Sequence, residues 1–174
     1  MTASMAAGTF TPTSWMTQSE SDLTTARLLH DQEKYDWASY AAAQAAEKAV
    51  KAMLIAWGAD LAHADRGKPW RIHQLTELLH IFRKWPKSQT LADALTNLPA
   101  HDEGARYPNR ANDMPPCKSY KKTTSAQNIE WAAAVVDFSK HLVPEIERAV
   151  KTLETAAQSL VPPSEPRSLD DGSA

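Results

Sequence analysis

The sequence predicts an all-α protein, a helical bundle with one long irregular loop before its last helix. Three observations carry this. Apolar residues recur every three or four positions along most of the chain and never alternate as a half-buried strand requires. Glycine is scarce, 5 residues against 11 prolines, which suits long helices with punctuated connections. Between Tyr35 and Gly58 the chain reads YDWASYAAAQAAEKAVKAMLIAWG. That alanine-rich run joins the highest helix propensity to side chains small enough for neighbouring helices to approach closely.

Residues 1–13 are small, polar and unpatterned, and are expected to form a disordered arm. Ser14 is placed to cap a first helix running from Trp15 to Glu33, with Trp15, Leu23, Ala26 and Leu29 or His30 on its apolar side. In the second helix Asp36 is the expected cap and Gly58 the stop. Val50, Met53, Leu54 and Trp57 fall on one stripe, which Tyr40, Ala41, Gln44 and Ala45 continue upstream. This is read as a central helix, packed on more than one side. Ile72, Leu75, Leu78, Leu79 and Phe82 mark a third helix ended by Pro86. A shorter fourth covers residues 87–98 and stops at Pro99. Residues 100–124 show no periodicity, and a loop of that length in a compact domain is usually functional or disordered. The final helix is expected from near Ser125, with Ile129, Ala132, Val136, Val143, Ile146, Val150 and Leu153 on its apolar face and a kink or break at Pro144. Residues 161–174 read as a disordered tail, leaving one helical domain over residues 14–160. No internal repeat or heptad run stands out.

Composition narrows the function classes. A length of 174 residues with 43% hydrophobic and 23% charged side chains fits one soluble domain. The net charge of −2 provides no global field for nucleic acid, so any phosphate binding would be local. Cys117 alone cannot form an internal disulfide and suits a reducing compartment. No apolar stretch approaches the roughly 18 residues that span a bilayer, and the start of the chain lacks the pattern of a secretory signal. The expectation is a cytoplasmic protein with no membrane partner.

The ordered motifs resemble the HEPN domain family. They are Asp22, Leu23 and Ala26 on the first helix, then DWASYAAAQAAEKAVKAMLIAWG, then HQLTELL after a loop, then ARYPN after a further helix. The core of the likeness is Gln44-Ala45-Ala46-Glu47-Lys48 followed by Lys51, and it extends over roughly Trp15 to Phe138. The resemblance implies an up-and-down bundle of four to five helices, commonly a homodimer. It also implies one of two functions. Many members are metal-independent ribonucleases, often toxins paired with a nucleotidyltransferase-like antitoxin; others are non-catalytic, with nucleotide binding proposed for some.

Catalytic members carry an arginine, four to six residues, then a histidine at the start of the last helix. A metal-free ribonuclease needs a group titrating near neutrality, which histidine supplies, and a fixed positive charge for the phosphate, which arginine supplies. From Lys118 onward this chain holds only His141, with no arginine at that distance before it. Arg66 and His73 satisfy the spacing, with six residues between them, but stand before the third helix. They are the candidate catalytic pair, weighed against a histidine that merely opens a helix. The candidate nucleotide or RNA contacts are Arg106, Tyr107, Arg110, Lys121 and Lys122 of the irregular loop, where cations meet phosphates and tyrosine rings stack on bases. The other reading of that loop has Tyr107 buried and Arg106 paired to a carboxylate as an anchor. Lys48 and Lys51 join the candidates because the resemblance centres on them, though Glu47 and Lys51 also form an i, i+4 pair. His101-Asp102-Glu103 lack metal-ligand spacing, so neither metal nor cofactor is expected. The tryptophans share no spacing and suggest core and interface. The sequence therefore favours a non-catalytic protein acting by association, with a nucleotidyltransferase-type partner and with nucleotide or RNA. The alternative is a metal-independent endoribonuclease using Arg66 and His73.

Overall fold

The computed structural model describes residues 11–58, 89–98 and 100–159. The expected third helix, with Arg66 and His73 before and within it, lies outside the described residues, as do residues 1–10 and 160–174.

Helix α1 spans Pro12–Asp31. It begins earlier than Ser14 suggests because Thr11, in extended conformation, accepts the Ser14 N–H at 3.2 Å on its side chain. Pro12 then occupies the first helical position, where its missing N–H costs nothing. The helix also ends before Glu33. That residue turns left-handed at φ 59°, so its own N–H reaches His30 O at 3.0 Å and the Lys34 N–H reaches Leu29 O at 2.9 Å. This paired closure satisfies the last carbonyls and releases the chain into the next helix.

Helix α2, Tyr35–Ala56, follows at once. Asp36 is not its cap; Lys34 holds that position, and Asp36 lies buried in the first turn, where a carboxylate complements the helix dipole. Gly58 does stop the helix, at φ 93° with its N–H on Ile55 O. The expected stripe holds through Val50, Met53 and Leu54, but Trp57 caps the helix and is 59% exposed. The alanines do what their size predicts. Ala38, Ala42, Ala45, Ala46, Ala49 and Ala52 have no exposed surface, and α2 packs against elements on several sides. The Ser19 hydroxyl donates across to Ala45 O at 2.8 Å, a contact that only closely approaching helices permit.

Helix α3, Gln89–Asn97, is the expected fourth helix; it buries Ala94 and Leu95, and Leu98 just past its end is buried too. Residues 100–124 are more ordered than their lack of periodicity suggests. They contain the short helices α4, Ala100–Gly104, and α5, Pro116–Ser119, and a bridge between Asn109 and Met114.

Helix α6 runs Lys122–Ser159, starting before Ser125 and continuing unbroken through Pro144. Lys140 and Pro144 are both exposed, so the proline stands on the solvent side of the helix, where an unpaired carbonyl is least costly. Ala132, Val136, Val143 and Ile146 are buried as expected, and Ile129 and Val150 partly so. Leu153, at 69% exposure, is not. Helices α1, α2 and α6 pack on one another, α3 lies on α6, and α4 and α5 lie on α2. Among the described residues no helix is long and apolar enough to cross a membrane.

Candidate functional site

The Gln-Ala-Ala-Glu-Lys segment of α2 faces α1 and is filled by ion pairs. The Lys48 ammonium donates to Asp22 at 2.5 Å, and Asp22 also accepts from Gln18 at 2.7 Å. Lys51 pairs with Glu47 one turn back and lies 5.2 Å over the Trp15 ring. Glu47 is 7% exposed. Each ammonium thus has its carboxylate at hand, and the cluster ties α1 to α2.

The second cluster forms where the irregular segment folds back. The N–H groups of Arg106 and Tyr107 both donate to Glu103 O, at 3.0 and 3.2 Å, turning the chain out of α4. Asn and Asp residues then close the tip. Asn109 Oδ1 accepts from Ala111 N–H at 2.8 Å, Asn112 Oδ1 accepts from Met114 N–H at 3.2 Å, and Asp113 is left-handed at φ 53°. Pro115 and Pro116 lead into α5, which delivers Tyr120 to His101, with 2.8 Å between Tyr120 Oη and His101 Nδ1. A Cβ on Gly104 would stand 3.3 Å from that hydroxyl, so a small residue there leaves it room.

These elements enclose an open cleft of about 770 Å³ whose walls include Glu103, Tyr107, Arg110, Met114 and Tyr120. Beside it the Arg106 guanidinium lies 5.1 Å from the Tyr40 ring and 5.2 Å from the Tyr107 ring, and Trp37 meets Tyr40 edge-on at 6.0 Å. Tyr107 is 56% exposed. The buried-anchor reading of Tyr107 is therefore wrong: its ring lies against the Arg106 guanidinium at the surface.

Of the candidates read from the sequence, the structure brings Tyr107 and Arg110 to the cleft and Arg106 to its edge. Lys121 and Lys122 are exposed at the start of α6, outside the lining. Lys48 and Lys51 belong to the α1–α2 cluster. Glu103 and Tyr120 are wall residues that spacing did not single out. No periodic signal could have found them, since the loop that gathers them is held by side-chain bonds of its own. Among the described residues no three His, Cys, Asp or Glu side chains form a metal set.

Burial lowers the His101 pKa from 6.5, and burial followed by the Asp36 charge raises that of Tyr120. For His101 the consequence has a definite sign. Below the unfolded value of 6.5 the unfolded chain binds a proton that the folded imidazole resists, so acidification favours unfolding. Stability present above that value is lost as pH falls through it towards the folded pKa. Denaturant midpoints measured between about pH 7.5 and 5 should fall, and His101→Gln should flatten that part of the slope.

The HEPN domain model matches residues 13–142. The chain belongs to the HEPN domain family. Two solved structures share the fold. TT1696 from Thermus thermophilus is 24% identical with a TM-score of 0.60, over 75% of this chain and 96% of that one. ST0689, an archaeal HEPN homologue, is 24% identical with a TM-score of 0.61, over 78% and 99%. No curated protein matches. The HEPN match ends at residue 142, so α6 continues past it to Ser159. Within the HEPN domain His141 is exposed near the middle of α6.

Proposed function

We propose that this HEPN protein acts by association. It takes a nucleotide, free or within an RNA strand, into the cleft between α4, the 105–115 loop and α5. It pairs with a second copy of itself and works with a nucleotidyltransferase-type partner. One observation carries the ligand reading: Arg110 and the exposed ring of Tyr107 stand on one cleft, a cation for phosphate beside a surface for a base. Lys121 and Lys122 add positive charge nearby, while Lys48 and Lys51 serve the bundle. The dimer reading rests on membership of the HEPN family, and half-exposed Trp37 is available for its contact. A monomeric mass by light scattering at micromolar concentration would remove the dimer.

The competing ribonuclease reading rests on Arg66 and His73. It is tested by incubating wild type and His73→Ala with total RNA in excess EDTA. Intact RNA in both is the expected result. Cleavage by wild type alone would make Arg66 and His73 an active pair and overturn the binding reading.

A further inference from the structure

We infer that the cleft selects guanine among the bases, with Glu103 reading the base edge and Arg110 holding the phosphate; this rests on the nucleotide reading above. Glu103 and Arg110 line the same cleft. Neither side chain has an ion-pair or hydrogen-bond partner among the described residues. Opposite charges that share a wall and do not meet leave room for a ligand carrying both a donor edge and an anion.

The rest of the wall sharpens the choice. Tyr120 is engaged by His101, Asn109 Oδ1 by the Ala111 N–H, and the Ser119 hydroxyl donates to Pro116 O at 3.1 Å. Glu103 is the one carboxylate among the residues of this wall, while the Tyr107 and Ser119 hydroxyls can accept as well; an ionised carboxylate only accepts. Guanine presents two adjacent donors, N1–H and the N2 amine, which match the two carboxylate oxygens. Adenine and cytosine each set a ring-nitrogen lone pair beside their amine, which a carboxylate repels. Uracil offers one N–H between two carbonyls. Guanine is thus the base whose edge satisfies the carboxylate without repulsion. Stacking suits a purine as well. Arg106 lies 5.2 Å from the Tyr107 centroid and that tyrosine is still 56% exposed, which leaves surface on which a base can stack. A volume of about 770 Å³ is within the range of small-molecule sites.

Isothermal titration of the full chain with GMP, AMP, CMP and UMP tests this. GMP should bind about tenfold more tightly than AMP. Inosine monophosphate, which lacks the N2 amine, should fall between them. Glu103→Gln should bring GMP and AMP within about threefold of each other, and Arg110→Ala should weaken both while keeping their ratio. Both side chains are exposed, so far-UV circular dichroism of each variant should match wild type. Equal affinity for all four nucleotides, or a GMP preference that survives Glu103→Gln, would overturn the guanine inference and leave nucleotide binding standing. Absence of heat with every nucleotide would overturn the guanine inference together with the free-nucleotide reading.

Discussion

Replacing Glu47 by alanine should destabilise the protein by about 3 kcal/mol, read as a lower urea midpoint with an unchanged slope. The reason lies with the residue left behind. The Lys51 side chain is 12% exposed and the Glu47 side chain 10%, so deleting the carboxylate leaves an ammonium with little water around it. The Trp15 ring, 5.2 Å away, provides partial compensation, and the lysine stem can extend towards solvent. Those two effects hold the cost at the lower end of what breaking a buried pair produces. Removing both charges should behave differently. Glu47→Met with Lys51→Met replaces the pair by side chains of similar volume, and its midpoint should lie near or above that of wild type. A double variant as unstable as the single one would mean that the pair does more than neutralise itself.

That contrast bears on what the sequence could reveal. The Glu47-Lys48-x-x-Lys51 pattern resembles the family most closely, and it was open to a structural or a ligand-binding reading. The partners on α1 decide the geometry. Asp22 and Trp15 lie 26 and 36 positions from Lys48 and Lys51 in the chain, and no local pattern announces that they meet. The helices themselves were legible, because burial of an apolar stripe leaves its period in the sequence. Their ends were less so: Thr11 and Glu33 act through backbone conformations and single hydrogen bonds that neighbouring Ser14 and Asp36 imitate. The cleft was legible only as a composition. Arg106, Tyr107 and Arg110 were visible as basic and aromatic residues in a stretch without period. What shapes Tyr107 and Arg110 into a wall, with Arg106 at its edge, is the Asn109–Met114 turn and the Tyr120–His101 bond, 19 residues apart. Trp57 and Leu153 continue their stripes in sequence yet are exposed, because one sits on a helix cap and the other on the last stretch of α6, residues 151–159, all of which is exposed.

Ala46→Leu should cost about 3 kcal/mol, at the upper end of what overpacking a core produces. Ala46 has no exposed surface and belongs to the main core cluster. A leucine there adds three carbons to a helix that already has α1 on one side and α6 on another. Outward movement of α1 would relieve the clash, but Ser19 resists it. Its hydroxyl is bonded to Ala45 O at 2.8 Å, and both residues are fully buried, so separating the helices strands a polar group as well as opening a gap. Ala149→Leu on the exposed part of α6 is the control, since it adds the same volume where nothing packs and should shift stability by less than about 0.5 kcal/mol. Nucleotide affinity separates a packing role from a binding one. If the alanine run serves packing alone, an Ala46→Leu protein held below its unfolding midpoint should keep wild-type affinity for GMP, because the cleft wall comes from α4, the loop and α5. Lost affinity with unchanged stability would instead mean that the alanine face itself receives a ligand.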